Sequence, residues 1–156
     1  MPAPQYTGIT GGAVALSAAT AKCILGAKAH ANSGLLLVGY EVGFDGITAA
    51  NVPVVVEIGY CTWATNSPGT NSTSVTPAQK SGRVLAAGFT MGKTWTAEPT
   101  AITVISEKLL TPNGGLVMYD VPLGNEMDSA LAEGFVIRCT APAAVNVRAT
   151  MIVSRC

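Results

Sequence analysis

The sequence predicts an all-β fold, one domain of about eight antiparallel strands closed into a sandwich or barrel. Three observations lead there. Apolar residues recur at every second position in several runs. Those runs are bounded by Gly, Pro, Asn and Thr, which is strand and turn punctuation. Helical periodicity is nearly absent, and the best helical candidate, residues 125–133, is short and flanked by Gly124 and Gly134.

An early strand is expected over residues 22–29. Residues 36–44 follow, with Leu36, Val38, Tyr40, Val42 and Phe44 alternating with positions that include Gly39, Glu41 and Gly43. This reads as a long strand with one thinly covered face, whose glycines admit another backbone or mark a bulge. Pro53 suits the start of a strand over residues 54–60. Residues 83–89 read as a weaker, Ala-rich strand, and residues 101–107 as a β-branched one. The turn Pro112-Asn113-Gly114 leads into residues 115–121. Residues 134–139 and 145–153 complete the set, with Val145, Val147, Ala149, Met151 and Val153 on one face. Residues 62–81 are rich in Ser, Thr, Asn and Pro, with Lys80 the sole charge, and are expected as an extended surface loop reaching a neighbour. Residues 1–12 are uncharged and are expected as an N-terminal arm that drapes over a neighbour, leaving residues 13–156 as a single β-sandwich domain.

Composition points to assembly. Only 12% of the 156 residues are charged while 49% are hydrophobic, and the nine basic and nine acidic side chains cancel. Soluble domains ordinarily carry about a quarter charged residues, and a neutral, charge-poor monomer tends to self-associate. A surface covered by other protein resolves this. The basic residues are scattered, so no footprint for nucleic acid or an anionic membrane is expected. Residues 1–22 lack the pattern of a signal peptide, and no apolar stretch reaches bilayer length. The chain is therefore expected to be made in cytoplasm. Cys23, Cys61, Cys139 and Cys156 are widely spaced without a C-x-x-C, so free thiols are expected over disulfides.

The C-terminal half carries a further pattern. It runs Leu109-Leu110-Thr111-Pro112-Asn113-Gly114-Gly115-Leu116, then Tyr119-Asp120-Val121-Pro122-Leu123-Gly124, then Gly134-Phe135-Val136-Ile137-Arg138-Cys139-Thr140-Ala141-Pro142, preceded by Trp95-Thr96-Ala97-Glu98-Pro99-Thr100. Over about residues 83–154 this resembles the small jelly-roll structural proteins that decorate the heads of tailed bacteriophages. The resemblance implies an antiparallel jelly-roll-like β-sandwich, a homotrimer on the outside of a capsid with the major capsid protein as partner, and a stabilising role without catalysis. A tail- or fibre-associated module that binds a receptor or glycan shares the fold and is the alternative.

Catalytic readings find little support. His30 is the lone histidine, which excludes a cupin-type metal site and weakens any nucleophile–base pair or triad. Gly92-Lys93-Thr94 echoes a phosphate-binding loop, but Ala87 stands where its leading Gly is required. Asn71-Ser72-Thr73 matches the glycosylation triplet without a secretory signal. No catalytic residue, cofactor or metal is expected. The interface candidates are Pro4, Tyr6, Tyr60, Trp63 and Trp95, because Trp and Tyr are enriched where proteins anchor to one another. Buried packing is the competing reading for the tryptophans.

Overall fold

The structure is a computed structural model that describes residues 3–45 and 52–156. Thirteen strands and no helix occur among the described residues. They are β1 (Gln5–Ile9), β2 (Val14–Leu16), β3 (Ala21–Lys28), β4 (Leu35–Phe44), β5 (Val54–Cys61), β6 (Thr73–Val75), β7 (Ala78–Ser81), β8 (Thr90–Lys93), β9 (Ile102–Leu110), β10 (Leu116–Asp120), β11 (Met127–Asp128), β12 (Gly134–Thr140) and β13 (Val145–Arg155).

The strands form two sheets. Sheet 1 has the order β10-β4-β13-β1-β7, with β11 also on β4 and β2 also on β13; sheet 2 has the order β6-β8-β3-β12-β5-β9. Eight strands give the architecture. In sheet 1 they run β1-β13-β4-β10, in sheet 2 β3-β12-β5-β9. The chain passes from β1 to β3, β4 and β5, changing sheet each time, continues to β9 in the same sheet, then changes sheet again at β10, β12 and β13. That is the winding of a jelly roll. All of the strand pairs are antiparallel. The other five strands, of two to four residues, are additions too short to show an alternating pattern.

The inner faces bury one apolar core. Leu25, Ala27, Val56, Ile58, Phe135 and Ile137 come from sheet 2; Tyr6, Tyr40, Val42, Val147, Met151 and Val153 come from sheet 1. Each large aliphatic or aromatic side chain removed from water this way contributes about 1.5–3 kcal/mol. The face expected for the last strand is the buried one.

On β4 the expected face holds only in part. Opposite β13, Gly39 pairs with Ile152 but Leu37 pairs with Val153. Val38 is the extra residue of a bulge, which shifts the side-chain phase by one. Tyr40 and Val42 are buried as expected, but below the bulge Leu35 and Leu37 are buried while Leu36 and Val38 are half-buried.

Four segments depart from the expectation. Residues 1–12 were expected as a free arm, yet β1 lies between β13 and β7 in sheet 1. Tyr6 and Gly8 are buried, and the sheet satisfies the backbone that an isolated segment would expose. Residues 1 and 2 lie outside the described part. Residues 62–81 carry β6 and β7 rather than one loop. Residues 83–89 form no strand. Their backbone is held by side chains instead: Gln79 Nε2 donates to the carbonyls of Ser81, Gly82 and Arg83, and its Oε1 accepts from Leu85 N. The helical candidate over residues 125–133 contains turns and β11.

Candidate interaction surface

Part of the outer face of sheet 2, over β3, β12 and the end of β5, is covered by the chain itself. Trp63 follows β5 and Trp95 follows β8. Their rings stack 5.9 Å apart over that face and are buried with Cys23, Cys61 and Val136 in a second, smaller core. Gly26 makes room beneath them, because a Cβ there would lie 2.8 Å from the Trp63 ring and 3.1 Å from the Trp95 ring. Polar contacts fix the cover. Trp95 Nε1 donates to Asn66 O (2.7 Å), Lys22 Nζ to Trp95 O (2.9 Å), Asn66 Nδ2 to Glu98 O (2.9 Å), and Cys23 N to Glu98 Oε2 (2.7 Å). Trp63, Asn66, Asn71 and Thr94 all adopt left-handed backbone with φ between 51° and 55°, a cost that the packed cover offsets.

The five interface candidates are thereby located. Trp63 and Trp95 are 5% and 1% exposed, so buried packing is where the structure places them. Tyr6 is in the main core, its hydroxyl donating to Leu85 O and Ala86 O and its ring edge-on to Phe89. Tyr60 is half-buried beside Phe135, at 5.2 Å between ring centroids. Pro4 is half-buried and its carbonyl accepts from Ser154 Oγ. The five are not brought together on one surface. A Tyr or Trp beside a turn is as good a core anchor as an interface anchor, and the sequence does not separate the two.

The titratable groups outside this cover are few. Arg138 Nε donates to Glu57 Oε2 at 2.6 Å across β12 and β5. The hydrogen bond from Glu57 raises the Arg138 pKa above its usual value. Burial pushes the Cys139 thiol up to about 12, and raises Cys23, further favoured in its neutral form by Glu98, and Cys61. These thiols are poor nucleophiles. His30 is exposed and its Nδ1 accepts from Asn32 N at 3.2 Å. Among the described residues no group of three His, Cys, Asp or Glu side chains is placed to hold a metal ion, and no helix is long and apolar enough to cross a membrane.

Sheet 1 has a different outer face. Residues opposite one another in register point to the same side, so the pairings lay out rows across it. Leu116, Gly43 and Arg148 form one row; Met118, Glu41, Thr150 and Ile9 the next; Asp120, Gly39, Ile152 and Thr7 a third. The Asp120 carboxylate lies over Gly39, whereas Gly43 hollows out the middle of the face. A shallow depression of about 440 Å³ lies there, lined by Ile9, Glu41, Gly43, Leu116, Arg148 and Thr150 among others. Ile9, Leu116 and Met118 are exposed around it. Along the same edge of the sandwich Val104 and Leu109 on β9, and Leu123 after β10, are exposed, while Lys108 Nζ sits 5.7 Å from the Tyr119 ring centroid and spans the two edge strands. Apolar side chains ringed by Glu41, Arg148 and Asp120 form the kind of patch that protein partners cover. No local sequence feature singles these residues out. The signal available was the exposed register of β10, which needs the β4 pairing to be read.

Comparison of the chain with protein-family models, with curated proteins and with solved structures finds no match in any of the three.

Proposed function

We propose that this chain is a structural protein of a phage particle, bound to the outside of the capsid as a homotrimer with the major capsid protein as partner, and that it stabilises the shell. One observation supports this above others. The chain covers part of the outer face of sheet 2 with its own tryptophans, but leaves apolar side chains exposed on the outer face of sheet 1, at Ile9, Leu116 and Met118, and on the neighbouring edge strand β9, at Val104 and Leu109. The jelly-roll winding accords with the resemblance noted for residues 83–154. A protein that bridges neighbouring capsid subunits adds binding free energy to the assembled shell alone, and mass action then favours the shell. Several contacts per oligomer multiply the effect.

Imaging of the native particle tests the reading. Density for this chain on the head exterior supports it. Density confined to the tail, with glycan binding by the free protein, moves the assignment to a receptor- or glycan-binding module. Its absence from purified particles rejects both.

A further inference from the structure

We infer that copies of this chain join head to tail through the two opposite edges of sheet 1, the β10–β11 edge of one copy receiving residues 80–87 of the next. This rests on the self-association proposed above and names the surfaces that make it.

The topology sets the two surfaces apart. In the order β10-β4-β13-β1-β7, β10 ends the sheet on one side and β7 on the other, and β11 joins β4 on the β10 side. Both edges offer apolar side chains. At the β10 edge Leu116 is 59%, Met118 65% and Leu123 96% exposed; beyond β7 Val84 is 88% and Leu85 41% exposed. Free sheet edges with exposed apolar side chains are templates for pairing with another chain.

Charge says which edge meets which. The β10–β11 side carries Asp120, Glu126 and Asp128 against a single nearby cation, Lys108, whose Nζ lies 5.7 Å from the Tyr119 ring centroid, so this edge is net acidic. Residues 76–93 contain no Asp or Glu but include Lys80 and Arg83 beside the other edge. Like edges meeting across a two-fold axis would bring carboxylate against carboxylate, or cation against cation. Unlike edges bring Lys80 and Arg83 against the carboxylates, the complementary arrangement. A contact between two different surfaces of one molecule generates a ring or an open filament, and a three-membered ring is the closed form that a homotrimer requires.

The donor segment is held ready. Gln79 binds its backbone from below, the Tyr6 hydroxyl donates to Leu85 O and Ala86 O, and Arg155 Nη1 donates to Ala86 O. Val84 is left projecting from a braced segment, so little ordering entropy is lost on docking.

Charge exchange tests this, read by light scattering with circular dichroism as the fold control. The wild-type chain is expected as a trimer. K80E/R83E and D120K/D128K are each expected to raise the midpoint concentration of assembly at least tenfold, and the four changes combined in one chain to restore it. A V84C/M118C variant carrying Cys156→Ser is expected to oxidise to a reducible three-chain species, because Val84 and Met118 of one chain lie on opposite edges. Oligomers indifferent to both charge pairs, or no three-chain cross-link, overturn the inference and leave self-association standing. A wild-type monomer at micromolar concentration overturns both. Should a charge variant fail to fold, the cross-link decides.

Discussion

Trp63 and Trp95 lie with their indole planes 16° from parallel and their centroids 5.9 Å apart, on loops separated by some thirty residues of sequence. The pair covers Cys23, Cys61 and Val136 on the outer face of sheet 2, so truncation is a stability defect. Trp63→Ala and Trp95→Ala should each cost about 3–5 kcal/mol in urea unfolding, with about 0.5–1.5 kcal/mol of coupling in a double-mutant cycle. Replacement by Phe separates them. Trp95 loses a hydrogen bond to Asn66 O, whereas the buried Trp63 Nε1 has no hydrogen-bond partner, so Trp95→Phe should be the costlier by about 1 kcal/mol. Equal losses would refute that asymmetry, and a Trp63→Ala protein of native stability with impaired assembly would return Trp63 to an interface role.

Deleting residues 1–12 should abolish the native fold rather than weaken attachment alone. The deletion removes β1, which pairs with β13 along Gln5 to Ile9, and takes Tyr6 out of the core. Circular dichroism and solubility read the result. A truncated protein with an unchanged melting midpoint would show that β1 is dispensable.

Tyr6→Phe should loosen residues 82–88 while the sandwich stays folded. The hydroxyl bonds to Leu85 O and Ala86 O are lost, at a cost of about 1 kcal/mol. Limited trypsin digestion at Arg83 should accelerate severalfold. An unchanged cleavage rate would mean that Gln79 and Arg155 suffice to hold the segment.

Cys156 is exposed whereas Cys23, Cys61 and Cys139 are buried. A thiol reagent should therefore label one cysteine in the native protein and four in denaturant. Burial raises the folded pKa of Cys139 from 9.0 to about 12 and that of Cys23 further. Above pH 9 the unfolded chain releases these protons and the folded chain keeps them, so the contribution is whole below pH 9 and is lost as pH rises. Each thiol should cost roughly 1.4 kcal/mol per pH unit between pH 9 and 11. Unfolding midpoints measured over that range should fall, and should fall less in a C23A/C139A protein. A flat profile in the wild type would count against the buried-thiol account.

Much of the fold was legible because burial on one side of a strand imposes period two. β13 shows it from Val145 to Met151, after which Ile152, Val153 and Ser154 are all buried, and β5 shows it from Val54 to Ile58. β4 shows where the rule stops: a bulge at Val38 moves the buried set from even to odd positions, and no local feature but the neighbouring Gly39 hints at it. Residues 83–89 form no strand; side chains meet backbone groups there instead, Gln79 at Arg83 O and Leu85 N, Tyr6 at Leu85 O and Ala86 O, and Arg155 at Ala86 O. The aromatic candidates were legible as anchors but not as to what they anchor. Tyr6 and Trp95 look alike in sequence whether they face a partner or their own glycine-lined sheet. The exposed row of Leu116 and Met118 was hidden for the opposite reason: alternation on an edge strand reads the same for a buried face as for an open one.

Gln5 and Ser154 stand opposite each other in the β1–β13 pairing. The first and last strands of the sandwich therefore end at one corner of the molecule, with sheet 1 intervening between that corner and β10. Gln5 also pairs with Ser81 and Arg155 Nη1 reaches Ala86 O, so a bulky group attached at this corner would crowd residues 80–87 and leave the β10 edge untouched.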